Sequence, residues 1–136
     1  MASYFFFERT SSFELITISG FLLWNDIQMN AEFAIDTGAT HSVLDANLLY
    51  ARGWRPNKDS ETTQVRTASG IVSGHIVNLV KLDILGEKSQ NFPVFVYDFL
   101  SAGSAENYDG LLGLDLLQNL DTCLRIADKQ IRVERI

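Results

Sequence analysis

Cysteine, histidine and proline are scarce in this sequence, and the first two scarcities each close off a class of protein. The single cysteine, Cys123, can form no internal disulfide, so the chain is not a stapled secreted domain. Set between Thr122 and Leu124, it is expected to be a buried small hydrophobe. Two histidines and one cysteine do not close a structural zinc site. Lysine and arginine number 11 against 17 acidic residues, for a net charge of −6, and they are scattered. That argues against nucleic acid as a partner, because phosphate contact needs clustered positive charge. Long apolar runs are missing too. Phe5-Phe6-Phe7 is cut at once by Glu8 and Arg9, too short for a signal-peptide core or a membrane span. The expectation is a cytoplasmic chain with no membrane segment.

What is present is apolar and finely divided. Leu, Ile, Val and Phe make up about a third of the residues, well above the level of disordered chains. The length of 136 residues fits one domain, taken as 1–136. Short apolar runs cut by turn residues are the pattern of a mainly β chain. Strands are expected over Phe13–Ile18, Phe21–Trp24 and Ile27–Ile35, with a turn at Asn25-Asp26. Asp45 should cap a helix over Ala46–Arg52 that closes at Gly53. Thr62–Ala68 and Ile71–Leu79 flank Ser69-Gly70 as a hairpin, followed by strands at Val80–Leu85 and Phe92–Tyr97 around Gly86-Glu87-Lys88. Ser101–Tyr108 has no regular pattern. Leu111–Leu114 reads as a short buried strand, Asp115 as the cap of a helix through Asn119, and Leu124–Ala127 with Ile131–Ile136 as a final hairpin. The fold class is all-β with two short helices.

One segment stands out chemically. In Ala34-Ile35-Asp36-Thr37-Gly38-Ala39-Thr40 an acid leaves an apolar strand and enters a turn that glycine permits. Alone, such an aspartate is more often a turn residue bonded to nearby backbone N–H groups. Other residues read more plainly. His41 lacks a Ser or Cys nucleophile motif beside it, and His75 sits on a strand. Asp109 precedes Gly110 and should start a turn. Trp24 and Trp54 could line a peptide groove, although edge packing is commoner for such rings. Gly110-Leu111-Leu112-Gly113 has neither the spacing nor the setting of a phosphate loop.

Asp36 has a partner motif 77 positions on, where Gly113 closes a second apolar run. The segments Phe33-Ala34-Ile35-Asp36-Thr37-Gly38-Ala39-Thr40-His41-Ser42-Val43-Leu44 and Asp109-Gly110-Leu111-Leu112-Gly113-Leu114-Asp115 resemble the retropepsin family. These are the single-domain aspartic proteases of retroviral type and their cellular and bacterial relatives. Arg66-Thr67-Ala68-Ser69-Gly70 is similar to the flap of the bacterial-type members, and the resemblance runs from about Phe13 to Val133. It implies a small closed β-barrel-like acid protease fold with a flap hairpin. By the same resemblance Asp36 is the catalytic residue, and Thr37, Gly38 and Ala39 support the active-site loop. Gly38, Thr40 and His41, with Thr67, Ala68, Ser69 and Gly70 of the flap, contact substrate. Leu111, Leu112 and Gly113 thread behind the loop. Thr40 and His41 fall where retroviral enzymes often carry acidic residues, so specificity does not transfer. Neither metal nor cofactor is implied.

Peptide hydrolysis by this route needs one carboxylate as base and one carboxylic acid as proton donor. Aspartic proteases are the standard instance of such a proton-sharing pair. The chain holds one Asp-Thr-Gly, so the expected species is a homodimer acting on a peptide or protein, with Ile131–Ile136 and Tyr4–Phe7 as candidates for a shared terminal sheet. The competing reading is a protease-like dimerisation or peptide-binding domain with weak or no turnover.

Overall fold

Among the described residues, turn chemistry and apolar alternation produce ten strands and two short helices. A computed structural model describes residues 1–9, 14–56, 62–67, 70–98 and 108–136. The strands are β1 (Ala2–Phe6), β2 (Thr17–Trp24), β3 (Ile27–Ile35), β4 (Val43–Asp45), β5 (Thr62–Thr67), β6 (Gly70–Ile84), β7 (Glu87–Tyr97), β8 (Gly110–Leu112), β9 (Leu120–Arg125) and β10 (Gln130–Arg135). Helix α1 covers Ala46–Tyr50 and α2 covers Leu114–Leu117. Among the described residues no helix is long and apolar enough to cross a membrane.

Seven strands lie in the order β2-β3-β8-β4-β7-β6-β5, and β2 also pairs with β6. That extra pairing, Phe21 opposite Asp83 through Leu23 opposite Lys81, closes six strands into a barrel and leaves β5 outside the ring. Closure removes the free edges that an open sheet would carry. The β6–β7 hairpin turns on two residues, with Ile84 opposite Glu87. Leu85 and Gly86 both have positive φ, 55° and 74°, the geometry of a tight primed turn. Leucine resists that conformation, yet Leu85 is only 3% exposed, so its burial offsets the backbone cost. The turn therefore sits one residue earlier than Gly86-Glu87-Lys88, and Glu87 already belongs to β7.

The first and last strands form a second sheet, β1-β10-β9, antiparallel throughout. Its inner face is not separate from the barrel. Phe7, Ile131 and Val133 belong to the same buried cluster as Leu22, Phe33, Leu44 and Leu112. Arg135 Nη2 donates to Glu87 Oε1 at 3.2 Å, tying the terminal sheet to β7.

Several expectations need correction. Ile71–Leu79 and Val80–Leu85 are not two strands: β6 runs on through Val80, because its register against β7 is the same at Leu79 opposite Phe92 as at Lys81 opposite Gln90. The strand before the final turn spans Leu120–Arg125 rather than Leu124–Ala127. Cys123 is exposed, since it shares the outer face of the terminal sheet with its neighbour Arg132. Tyr4 and Phe6 are also outward, at 51% and 71% exposure, whereas Phe7 is buried. Strand β1 pairs with β10 of its own chain from Ala2 opposite Glu134 to Phe6 opposite Gln130. Asp45 does cap α1, its carboxylate accepting from Asn47 N–H at 3.2 Å. Helix α2, in contrast, is preceded by Gly113 at its N-cap, and Asp115 lies inside its first turn.

Candidate active site

The barrel topology brings the two sequence motifs together. Strand β8 runs parallel to β3, with Phe33 opposite Gly110 and Ile35 opposite Leu112, and antiparallel to β4, with Val43 opposite Leu111. The chain leaving β3 at Asp36 therefore loops over the end of β8 and returns as β4. Asp109 strengthens the join: its Oδ2 accepts from Glu32 N–H and its carbonyl from Asp45 N–H. It is an inter-strand clasp rather than a simple turn starter.

Within the loop, Asp36 N–H donates to Leu112 C=O at 3.0 Å, and Ala39 N–H donates back to Asp36 C=O at 3.2 Å. Gly38 N–H donates to Asp36 Oδ1 at 2.9 Å, which orients the carboxyl. A side chain at 38 would place its Cβ 3.1 Å from that oxygen. Asp36 is half-buried, while Thr37 and Gly38 are exposed. Thr40 Oγ1 and His41 Nδ1 share a hydrogen bond of 2.9 Å.

Gly113 supports the loop from behind at very short range. A Cβ there would lie 2.7 Å from Ala39 O and 2.8 Å from the His41 carbonyl carbon and oxygen. Those are backbone atoms, so only glycine fits. Leu114 N–H donates to Ala39 C=O at 2.8 Å, and Gly113 N–H donates to Ser42 Oγ at 3.0 Å. Ser42 is fully buried, and its hydroxyl and N–H both donate to Asp115, at 2.7 and 2.9 Å. Asp115 is thus engaged across the loop by a bidentate carboxylate, a role the cap reading missed.

Beside Asp36 opens a cavity of about 220 Å³ lined by Asp36, Gly38, Ala39, Thr40, His41, Val43, Val65, Phe95, Tyr97 and Leu111. Five of these loop residues are sequence candidates. Val43, Val65, Phe95 and Tyr97 are not, although Phe95 and Tyr97 share one face of β7 by strand alternation. Leu111 turns its side chain into this cavity, while Leu112 is wholly buried in the main core. Burial raises the Tyr97 phenol above its ordinary value, and the nearby Tyr108 and Asp45 push it the same way. In the β5–β6 hairpin, where the flap is expected, Thr67 pairs with Gly70, and Gly70 has φ of 118°. Ala68 and Ser69 lie outside the described residues, as do Ser101–Asn107 of the irregular stretch. Neither tryptophan lines the Asp36 cavity. Trp24 packs on the main core, and Trp54 stacks on Tyr50 and meets the edge of His75 beside a separate cavity of about 210 Å³.

A closed barrel with an aspartate loop propped by a glycine strand defines an acid-protease architecture. Residues 20–116 match the model of the family described as Aspartyl protease, and the chain belongs to that family. Its fold is similar to the crystal structure of a retropepsin-like aspartic protease from Rickettsia conorii. The TM-score is 0.63 at 20% identity, over 98% of this chain and 91% of that one. Comparison with curated proteins gives no match.

Proposed function

We propose that the protein is a homodimeric aspartic endopeptidase in which two chains each contribute one Asp36. The observation that carries this reading is the placement of the Asp36 carboxyl. It is half-buried, oriented by the Gly38 amide, and set at the mouth of a largely apolar cavity. A single carboxyl serves as acid or base but not both in one step, so a second copy of the loop is required. Thr37 and Gly38 are exposed in the single chain, which leaves them open to contact with that copy.

In the paired site the two carboxyls share one proton. The ionised Asp36 takes a proton from water as the water oxygen bonds to the peptide carbonyl carbon. The protonated Asp36 gives its proton to the carbonyl oxygen, and a tetrahedral diol forms. The diol then collapses: the C–N bond breaks, the protonated carboxyl gives its proton to the departing nitrogen, a diol hydroxyl passes its proton to the ionised carboxylate, and an acid, an amine and the one-proton pair remain. The Val43, Val65, Phe95 and Leu111 walls suit an apolar side chain flanking the scissile bond. The hairpin of β5 and β6 reaches this cavity through Val65 and takes the part of a flap, with Thr67 opposite Gly70 in its last described pair. We read residues 1–136 as one protease domain, supported by the family match over 20–116 and the structural likeness over 98% of the chain.

Profiling cleavage of a peptide library by the wild-type protein and by Asp36→Asn tests the reading. Cleavage that vanishes in the variant supports it. Cleavage that survives the substitution contradicts the mechanism, and a wild type without turnover would point to a binding domain.

A further inference from the structure

Five hydrogen bonds join the segment 36–42 to the segment 112–115, and three of them end on Ser42. The Ser42 hydroxyl accepts from Gly113 N–H and donates to Asp115 Oδ1, while Ser42 N–H donates to Asp115 Oδ2. The remaining Ser42 group, its carbonyl, accepts from Phe95 N–H at 3.0 Å and so reaches the wall of the Asp36 cavity. Every hydrogen-bonding group of this fully buried serine is therefore engaged, and it links the loop, its prop and the cavity wall.

The geometry points to Ser42 and Asp115 as one positioning unit that sets the Asp36 loop for catalysis. This inference rests on the aspartic protease reading but adds residues that touch neither water nor peptide in that scheme. Two features single the pair out from ordinary packing. Leu112 fixes the loop at Asp36 N–H and Leu114 fixes it at Ala39 C=O, which leaves its return limb to Ser42 alone. Asp115 also grips with both oxygens, and a bidentate carboxylate fixes direction as well as distance. Loss of the grip would let residues 39–42 shift, and shifts of about 1 Å near a reacting centre cost on the order of a hundredfold in rate.

Ser42→Ala, Asp115→Ala and the double variant, compared with wild type, test the unit by kcat and KM together. The expected result is a fall in kcat of about tenfold to a hundredfold in each single variant, with KM within about threefold. The double variant should be no worse than about twice the larger single loss, because both substitutions break the same link. Multiplying losses, or losses confined to KM, would overturn the inference. Hydrogen exchange supplies a readout that does not depend on turnover. Amides of 36–42 should exchange at least about tenfold faster in Ser42→Ala while those of β6 and β7 stay protected. Unchanged exchange at 36–42 would overturn the unit even if the wild type proved inactive, a result that would count only against the protease reading. Should either single variant fail to fold, Ser42→Thr and Asp115→Asn give the same comparison. A kcat of Ser42→Thr within about threefold of wild type, with the hydroxyl retained, supports the unit, and a kcat of Ser42→Thr lowered about tenfold or more contradicts it.

Discussion

Two segments meet at the mouth of the barrel, and they use their aspartates in opposite ways. In the segment 109–115, both acids are consumed by structure: Asp109 accepts from Glu32 N–H, and Asp115 accepts twice from Ser42. In the segment 36–42, the Asp36 carboxyl accepts only from Gly38 N–H among the described residues and faces a cavity. The local sequences look alike, an acid at one end or the other of a short apolar run, next to small or apolar residues. The difference lies in what the fold brings to each carboxyl. An acid surrounded by backbone donors holds strands together. An acid left with one donor and an open side is available for chemistry.

That contrast can be broken from either side, and the largest effect belongs to Asp36. Asp36→Asn should abolish peptide cleavage, by about a thousandfold or more. It should leave unfolding free energy within about 0.5 kcal/mol, since among the described residues only one intramolecular bond reaches the carboxyl. Peptide assays beside thermal melts check both halves. Gly113→Ala works through the opposite segment. Its Cβ would press on Ala39 and His41 backbone atoms, costing about 1–3 kcal/mol and displacing the loop. Denaturant unfolding would record the loss, with cleavage falling in parallel. Asp109→Ala leaves Glu32 N–H without its carboxylate partner, and the expected stability loss is about 1 kcal/mol. Cleavage should suffer less than in Gly113→Ala, because the Asp36 loop keeps its prop.

The smallest effect concerns the cavity wall. Burial holds the Tyr97 phenol above its ordinary value, so in the folded protein it ionises later than an unfolded tyrosine would. The folded state therefore keeps that proton longer. The matching stability is fully present below the unfolded value and is lost as pH rises through the folded one. Absorbance titration of the four tyrosines should show one late component that Tyr97→Phe removes. A late component that persists in the variant would assign it elsewhere.

How legible these two segments are in the sequence differs for the same physical reason. Asp36, the strand before it and helix α1 with its Asp45 cap depend on neighbours in the chain, and all are readable locally. Gly113 is readable as a motif, but the reason for glycine is the backbone of Ala39 and His41, far away in sequence. The Asp115–Ser42 contact spans 73 positions and the Asp109–Glu32 contact 77, so both exist only once the barrel closes. A helix-cap reading of Asp115 follows from local propensity, and tertiary pairing overrides it. Cys123 is a similar case. Its own neighbours suggest burial, but the register of β9 against β10 turns it outward.

Catalysis by this route needs two copies of Asp36 acting as one site, and mixing chains tests this most directly. Wild-type and Asp36→Asn proteins are exchanged to equilibrium in equal amounts at fixed total concentration, and the cleavage rate is measured. If each working site needs two intact aspartates, only wild-type pairs turn over, and the rate falls to about a quarter of the undiluted wild type. A rate of about half, proportional to the intact chains, would mean that each chain works with its own aspartate alone, and the account would be contradicted.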